Sequence, residues 1–329
     1  MAIVFLKLDQ IFTYVINESR HSRISRRDFK NIIFKRRINM KYEFDPKDGI
    51  TDVSENTFFR TFASTRDSIG EIGMKAMQII GSEGISEEQN QIKQIVDVFL
   101  FSKGIPLSRS VVRRCIESLK LTCLLKAQEV NTGIRRFNIN KFTPEGDLFF
   151  FHYFQKRPVK FEHEKLIEEH ASLHHGYMIK DTAEILKSKG IYDEISTSRT
   201  GNRYQLSDGR ACIPDIVCKM DWETFMFEVE CGTHKQCDFN SKCSKLMEIT
   251  CDIYIIAQNR KVLNKILRHQ VENWIAEEGR ENLLNNGTKV YLATLVDLKN
   301  DKWSYIYDMT SDKPVCSFDN TEKEGGEDA

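Results

Sequence analysis

Three acidic residues stand where the surrounding sequence predicts apolar β-strands. Glu228 and Glu230 interrupt the run Phe-Met-Phe-Glu-Val-Glu at residues 225–230, and Asp215 follows a proline one short strand earlier. Successive side chains of a strand point to opposite faces, so Glu228 and Glu230 share one face. The Asp-Trp-Glu-Thr stretch at 221–224 predicts a turn that pairs the two strands. That pairing would bring Asp215 close to the same face.

Carboxylates gathered in this way repel one another and are costly to bury, and a divalent cation removes much of that cost. Mg²⁺ prefers oxygen ligands, commonly one or two carboxylates together with a substrate phosphate. Such an ion lowers the pKa of a bound water molecule and holds the scissile phosphate. The pattern therefore predicts a Mg²⁺ or Mn²⁺ site with Asp215, Glu228 and Glu230 as ligands and catalytic residues, and no small-molecule cofactor.

The same residues carry a resemblance to a known superfamily. Pro214-Asp215 followed by Glu228-x-Glu230, after a helix and on a hairpin, resembles the PD-(D/E)xK nucleases, which include restriction endonucleases and archaeal Holliday-junction resolvases. The string PDIV…FEVECGTHKQCDFNSKCSKL…DIYIIAQN resembles more closely the replication-relaxation family of bacterial plasmids and conjugative elements. Members of that family join a winged helix to a domain of this kind. The resemblance implies a DNA endonuclease of a mobile genetic element.

The sequence departs from the superfamily pattern at Glu230, because a lysine usually occupies that position and orients or activates the attacking water. Related families carry this lysine on the next helix, where Lys242 and Lys245 are available. At about 100° per residue, Lys242 lies beside the sheet-facing side of that helix and Lys245 points away. Lys242 is therefore the expected replacement.

The resemblance implies two further site residues. Gln236, at the start of the same helix, stands where several nucleases place a polar group that positions water or phosphate. The first helix of the superfamily often supplies another acid, for which Asp181 is the candidate and Glu184 the substitute. His170, His174 and His175, on the same segment, are interpreted as helix-surface or packing residues.

A zinc site is the main alternative chemistry in this segment. Cys231, His234, Cys237 and Cys243 are usable zinc ligands. They contain no CxxC pair, and part of the set lies on the helix that the nuclease interpretation needs. The nine cysteines of the chain are odd in number and scattered through apolar segments, which favours a reducing cytosol over a disulfide framework.

The elements that must position these residues follow one another as helix, hairpin, helix, strand, helix and strand. This order predicts an α/β class with a restriction-endonuclease-like core around a central mixed sheet, covering residues 160–318. Its first helix is expected as one continuous segment from about residue 164 to Lys189, ending at Gly190. Residues 289–298 are expected to form a single strand.

Residues 81–155 predict a winged helix-turn-helix domain. Ser86 and Gln89 have capping-box spacing, and Ser108 is the expected cap of a second helix. That helix would present Arg109, Arg113 and Arg114 to a DNA major groove. A hairpin with its tip at residues 131–133 would form the wing, with Arg135 and Arg136 contacting phosphate.

The two ends of the chain differ in charge although the formal net charge is zero. Residues 1–80 read as a basic helical region whose expected DNA contacts are Arg26, Arg27, Arg36 and Arg37. Residues 319–329 are acidic and rich in glycine, which predicts a disordered tail. No apolar run approaches the ~20 residues that span a bilayer, so we expect a bacterial cytoplasmic protein without a membrane partner.

Two classes of function are consistent with these patterns. The first is a metal-dependent DNA endonuclease that a winged helix targets to DNA. The second is a non-catalytic replication initiator or regulator that binds DNA and retains a nuclease-like scaffold, because Glu230 replaces the motif lysine. A protein-interaction adaptor is a third alternative. Many nucleases of this superfamily dimerise, so a homodimer is left open, although no apolar stripe specifies an interface.

Overall fold

The computed structural model of the protein describes residues 52–316, apart from Ile105 and Asp312. The predictions for Arg26, Arg27, Arg36, Arg37 and the acidic tail lie outside the described residues. The chain divides into two units, residues 1–60 and residues 61–329. All the residues of the candidate site lie in the second unit. Within the described part of the chain, no helix has the length and apolar character needed to cross a membrane.

The described chain begins with three helices. They are α1 (Asp52–Glu83), α2 (Glu88–Lys103) and α3 (Arg109–Leu121). Helix α1 changes direction at Gly70, whose positive φ of 66° falls outside the helical region. Ser108 accepts a hydrogen bond from the backbone N–H of Val111, which confirms it as the N-cap of α3. Ser86 does not cap α2, because its side chain is buried against His163 and Glu87 occupies the N-cap position.

An antiparallel hairpin follows, formed by β1 (Leu125–Asn131) and β2 (Arg136–Phe142), and then helix α4 (Pro144–Phe154). Side chains of α1 to α4 form one apolar core, in which Ile80, Ile95, Ile116 and Phe149 are fully buried or nearly so. The order helix, turn, helix and hairpin is the one that the sequence predicts for residues 81–155. Its identity as a winged helix stays a prediction.

Two helices replace the single helix predicted between residues 164 and 189. They are α5 (Glu162–His170) and α6 (Leu173–Lys189). Ala171 adopts a left-handed conformation with φ of 57°, and Ser172 then caps α6 by accepting from the backbone N–H of His175. The break places His175 in the first turn of a new helix rather than in the middle of a long one.

The second half of the unit is α/β with a central mixed sheet, as the sequence predicts. The strands are β3 (Glu194–Ser196), β6 (Ile216–Met220), β7 (Glu223–Glu230), β8 (Asp252–Ala257), β9 (Lys289–Thr294), β10 (Tyr305–Asp308) and β11 (Val315–Cys316). They lie in the order β11-β10-β9-β8-β7-β6-β3. Strands β7, β8 and β9 are parallel, and the other neighbours are antiparallel. A separate two-stranded ribbon pairs β4 (Tyr204–Gln205) with β5 (Ala211–Cys212).

Helices cover both faces of the sheet. After β7 comes α7 (Gln236–Met247), and after β8 come α8 (Arg260–Val262), a π-helical turn (Leu263–Leu267), α9 (Arg268–Glu278) and α10 (Arg280–Asn285). Phe239 and Leu246 of α7 pack on one face with Ile255. Met178 and Ile179 of α6 pack on the other face with Phe227 and Val229. The strand predicted for residues 289–298 ends at Thr294, whose side chain caps helix α11 (Leu295–Lys299).

The tip of the β1–β2 hairpin packs against the end of the central sheet. Gly133 has a φ of 90°, and a Cβ atom there would lie 1.8 Å from the carbonyl oxygen of Gln258. The side-chain amide of Gln258 donates to the carbonyl of Asn131, while its backbone N–H donates to the carbonyl of Glu230. Only a residue without a side chain fits this contact, so Gly133 is needed for docking as well as for the turn.

Candidate functional site

Strands β6 and β7 pair as the sequence predicts, and the pairing gathers the acids at one end of the sheet. Ile216 lies opposite Phe227, and the same register continued by one residue places Asp215 opposite Glu228. The backbone N–H of Val229 donates to Oδ2 of Asp215 over 2.9 Å. Glu228 and Glu230 lie on either side of Val229 and point to the face that α7 covers. Because a tight turn sets the strand register, the short turn between β6 and β7 is sufficient to align the three acids.

Lys242 of α7 lies among the three carboxylates, at the position that the sequence predicts for it. Its Nζ atom is 2.6 Å from Oε2 of Glu228, 2.8 Å from Oε1 of Glu230 and 3.8 Å from Oδ2 of Asp215. We call these four residues the acidic cluster. The geometry brings together one positive and three acidic groups, so the cluster is short of positive charge when all three acids are ionised.

Glu228 is, with Glu230, one of the two most deeply buried acids of the cluster. Its side chain is 2% exposed, and neither carboxylate oxygen has a hydrogen-bond partner of acceptable geometry among the described residues. The contact with Lys242 is short in distance but does not meet the angular requirement of a hydrogen bond. A buried polar atom without a partner is costly, so Glu228 has capacity to bind a further cation or donor.

Glu230 is held on both of its oxygens. Lys242 donates to Oε1, and Nδ1 of His234 lies 3.1 Å from Oε1 and 2.9 Å from Oε2. Lys242 and His234 engage both oxygens of Glu230 in this structure, and its role as a metal ligand stays a prediction. Asp215 and Glu228 remain as the candidate ligands.

His175 is a site residue that the sequence interpretation missed. Its Nε2 atom lies 2.8 Å from the carbonyl oxygen of Val229 and 3.2 Å from Oδ2 of Asp215. A carbonyl oxygen only accepts, so Nε2 carries the proton and donates. The one available signal was Ser172, a helix N-cap residue three positions before His175. The prediction of an unbroken helix concealed it.

Burial and charge act in opposite directions on the acids. Burial raises the pKa of Asp215, but Lys242 and His175 outweigh it and hold that pKa below its usual range. Burial raises the pKa of Glu230 too, and Lys242 and His234 again outweigh it, so the net shift is downward. Glu228 differs, since burial together with the neighbouring Asp215 raises its pKa well above the ordinary value despite Lys242.

The positive groups respond to the same charges. Burial lowers the pKa of Lys242, but Glu228, Asp215 and Glu230 outweigh it and raise the pKa well above its ordinary value. For His175, burial also lowers the pKa, and the hydrogen bond to Asp215 more than compensates. The cluster thus contains an ammonium group whose charge the surrounding acids favour and one carboxyl group, Glu228, whose ionisation burial and Asp215 disfavour.

Gln236 does not point its amide at the cluster. The Nε2 atom donates to Oδ1 of Asn240 and to the backbone carbonyl of Gln270. The bond to Gln270 joins α7 to α9, so Gln236 has a structural role here, and its role of positioning water or phosphate stays a prediction.

Asp181 also lies in a different group of charges. It accepts from Thr132 over 2.6 Å and from Arg135 over 2.6 Å, and Arg135 also donates to Glu87 over 2.6 Å. Lys180 links Glu87 to Glu162. We call Glu87, Arg135, Asp181, Lys180 and Glu162 the hairpin network. Asp181 therefore joins the hairpin to α6, and the α6 residue that contacts the acidic cluster is His175 instead. Glu184, the substitute, is 62% exposed and lies 4.0 Å from Lys180.

The predicted DNA-binding arginines fall into two groups. Arg109, Arg113 and Arg114 are exposed on α3, and none of them makes an ion pair within the part of the chain that the structure describes. Arg136 is 68% exposed and lies 3.4 Å from Glu129. Arg135 needs correction, because its guanidinium is committed to Glu87 and Asp181 rather than presented to a phosphate.

The zinc alternative is not supported by the geometry. Cys243 is buried in the core between the sheet and α7, whereas Cys231 packs on the opposite face of the sheet and contacts Met178. His234 is occupied with Glu230, and Cys237 is exposed. Among the described residues, no three His, Cys, Asp or Glu side chains are arranged to hold a metal ion.

A site with two protein carboxylates is compatible with that result. Mg²⁺ keeps several water molecules and is commonly bound by one or two carboxylates plus a substrate phosphate. Asp215 and Glu228 are oxygen donors, and the oxygens of Glu228, which accept no well-aligned hydrogen bond among the described residues, can accept a cation. The donor set therefore fits a hard divalent cation.

Comparisons with protein-family models, with curated proteins and with solved structures found no match for this chain. The geometry of the site is therefore the basis for its assignment.

Proposed function

We propose that the protein is a metal-dependent DNA phosphodiesterase of the PD-(D/E)xK type, belonging to a mobile genetic element. One observation carries the proposal: Asp215 and Glu228, from two paired strands, meet Lys242 from the following helix at one end of the sheet. The resemblance of the Pro214-Asp215 and Glu228-x-Glu230 motifs supports the same reaction. Replacement of the motif lysine by Lys242 accounts for the departure at Glu230.

In this proposal Asp215 and Glu228 would hold Mg²⁺ or Mn²⁺, and the ion would supply a Lewis acid for water activation and positive charge for the scissile phosphate. Lys242 places an ammonium beside both carboxylates and stabilises the negative charge that develops on phosphorus oxygens. His175 orients Asp215 by donating from Nε2. The backbone N–H of Val229 donates to the same carboxylate oxygen, Oδ2.

The exposed arginines of α3 are the proposed DNA-binding surface. Arg109, Arg113 and Arg114 lie on one helix and face solvent, as a helix that contacts phosphates or base edges requires. Arg136 extends the surface to the hairpin. Arg135 is left out because its charge is used internally. We expect Arg113→Ala to weaken DNA binding and to reduce the slope of log affinity against log salt by about 1.

The decisive experiment measures plasmid cleavage with Mn²⁺ or Mg²⁺ present. The wild-type protein should cut only with the metal, and Asp215→Ala should lose at least about 10³-fold in rate. Asp181→Asn is the matched control, because Asp181 is a buried acid outside the cluster. Equal DNA affinity of wild type and Asp215→Ala would assign the loss to chemistry. Cleavage that survives both Asp215→Ala and Glu228→Gln would overturn the proposal.

A specific observation favours a second candidate, a non-catalytic DNA-binding initiator or regulator that keeps this scaffold. Lys242 already lies within ion-pair distance of all three acids, so the cluster is partly neutralised without a metal ion. This candidate predicts salt-dependent DNA binding, no metal-dependent turnover, and no increase in melting temperature with Mn²⁺. The enzyme predicts a rise in melting temperature that Glu228→Gln abolishes.

A further inference from the structure

The hairpin shares a buried apolar core with the half of the unit that carries the acidic cluster. Val130 and Ile139, on strands β1 and β2, are fully buried. They pack with Tyr177 and Leu173 of α6, and the ring of Phe137 meets that of Tyr177 edge-on with centroids 5.1 Å apart. Because α6 also packs on the central sheet, this core holds the hairpin to the sheet.

Two polar contacts attach the hairpin beside this core. In the hairpin network, Arg135 donates to Asp181 of α6 over 2.6 Å. At the tip, Gln258 donates from its side chain to the carbonyl of Asn131 and from its backbone to the carbonyl of Glu230. The hairpin is therefore bonded to α6 and, through Gln258, to the end of β7, the strand that carries two acids of the cluster.

The chain that joins the two halves is short and is itself bonded. Residues 155–161 connect α4 to α5. The backbone N–H of Val159 donates to the carbonyl of Gly81 over 2.8 Å, and that of Glu162 donates to the carbonyl of Gly84 over 2.9 Å. A segment bonded in this way does not let the two halves move independently, as a Gly/Ser-rich linker would.

These contacts also place Arg136 close to the acidic cluster. Arg136 lies opposite Asn131 across the hairpin. Asn131 is bonded to Gln258, and Gln258 to Glu230, so two hydrogen bonds separate this strand pair from the cluster. The span is shorter than one turn of B-DNA, which is roughly 34 Å or about 10 base pairs.

We propose that the docked hairpin determines where the DNA is cut, by fixing one distance between the nucleotides that it contacts and the phosphate at the acidic cluster. The inference rests on the proposed function and deepens it. Binding and cutting groups belong to one packed body, so each strand should be cut at a single spacing, less than about 10 base pairs from the hairpin contact. Gly133 and Arg135, which fit the hairpin to Gln258 and Asp181, are the specificity-determining residues.

The test records both positions on the same DNA molecule. The photocrosslinking residue p-benzoylphenylalanine replaces Asn138, which is exposed on β2 and shares a face with Arg136. Light crosslinks the protein to linear duplexes of random sequence, Mn²⁺ is added, and sequencing identifies the crosslinked nucleotide and the cut end of each product. One dominant distance on each strand is expected. Distances scattered over more than about one helical turn overturn the inference.

Variants of this crosslinking protein assign the spacing to the docked hairpin. Gly133→Ala places a Cβ atom 1.8 Å from the carbonyl oxygen of Gln258, so the tip must move, and Arg135→Met removes the bond to Asp181. The double variant should cut over a wider range of distances, and Gly133→Ala alone serves if the double variant does not fold. A folded variant that keeps the wild-type spacing overturns the inference.

Arg136→Met is the matched control, because this neighbouring arginine is 68% exposed and does not join the hairpin to α6 or to the sheet. It should lower the yield of crosslinks and leave the distance between crosslink and cut unchanged. A change of distance in this variant as large as in the double variant would show that DNA contacts, rather than docking, set the spacing, and the inference would fail.

A second measurement does not depend on cleavage. Wild-type protein that crosslinks DNA but never cuts it with Mn²⁺ overturns the proposed function. Amide hydrogen exchange still tests the docking, because the N–H groups of Val159 and Glu162 bridge the two halves. They should exchange as slowly as the N–H of Ile255, within the central sheet. Fast exchange at both, with Ile255 protected, would show that the halves separate, and the inference would fail.

Discussion

The acidic cluster and the hairpin network are both buried groups of charges, but they differ in how far their oxygens are satisfied. In the hairpin network, both oxygens of Glu87 and both oxygens of Asp181 accept hydrogen bonds. In the acidic cluster, the two oxygens of Glu228 accept none of acceptable geometry. The first arrangement is typical of an interface between structural elements, and the second is typical of a site that receives a ligand.

This difference teaches that a buried carboxylate is not by itself a sign of function. Asp181 and Glu228 are exposed to nearly the same small extent, 4% and 2% of their side chains. What separates them is the partner: Asp181 faces a guanidinium that forms two parallel bonds, whereas Glu228 shares one ammonium with two other acids. Bidentate arginine contacts satisfy a carboxylate, and a shared lysine does not.

The largest expected change in the free energy of unfolding distinguishes two adjacent arginines, Arg135 and Arg136. Arg135→Met should lower the free energy of unfolding by about 2–3 kcal/mol, because Glu87 and Asp181 would be left buried without their partner. Because the side chain of Arg135 is 35% exposed, solvent screens its ion pairs and makes this loss smaller than for a fully buried pair. Arg136→Met should change the free energy of unfolding by less than about 0.5 kcal/mol. Urea-induced unfolding of both variants measures the difference, and equal losses would contradict it.

A smaller loss of stability is expected for Glu87→Gln, and this loss should depend on pH. Burial raises the pKa of Glu87, but Arg135 and Lys180 outweigh it and hold the pKa below the ordinary value of 4.5. A lowered pKa in the folded state adds stability above 4.5 and loses it as the pH falls through the folded value. Glu87→Gln should therefore cost about 1–2 kcal/mol at pH 7.

The cost of Glu87→Gln should shrink as the pH is lowered to about 4 and below, since the wild-type carboxylate is then increasingly protonated. Unfolding titrations of wild type and variant across this range provide the measurement. A stability difference that stays constant with pH would mean that Glu87 does not form its ion pairs in solution.

The smallest expected change is a gain in stability, and it concerns Glu228 of the acidic cluster. Glu228→Gln should raise the free energy of unfolding by about 1 kcal/mol at pH 8, because burial and Asp215 disfavour the ionised glutamate. A raised pKa in the folded state lowers stability as the pH rises above the unfolded value, so the gain should fade toward pH 4. Thermal unfolding at both pH values tests this. A loss of stability at pH 8 would show that Lys242 outweighs burial.

The elements of the α/β half could be read from local patterns. The apolar runs and the turn at residues 221–224 correctly predict the pairing of β6 with β7, and helical periodicity correctly predicts that Lys242 faces the sheet. Both depend on neighbours a few residues apart. The break at Ala171 was not predicted, because a single left-handed residue leaves the helical apolar pattern almost unchanged.

The partners of Arg135, Asp181 and His175 could not be predicted in the same way. Arg135 meets Asp181 across 46 residues of sequence, and His175 meets Asp215 across 40. No local periodicity connects such positions, and both contacts depend on how the hairpin and α6 lie against the sheet. The partner of Gln236 was missed for a related reason, since its amide donates to a carbonyl of α9.

The sequence by itself determined that two strands would carry three acids to one face and that a lysine would follow on the next helix, because strand alternation and helical rotation are short-range geometry. Only the tertiary structure decided which charges were satisfied. Docking of the hairpin gave Asp181 an arginine, while the junction of β6, β7 and α7 left Glu228 with a shared ammonium and no well-aligned hydrogen bond among the described residues. Whether a buried charge is neutralised depends on groups distant in sequence, and packing alone brings those groups together.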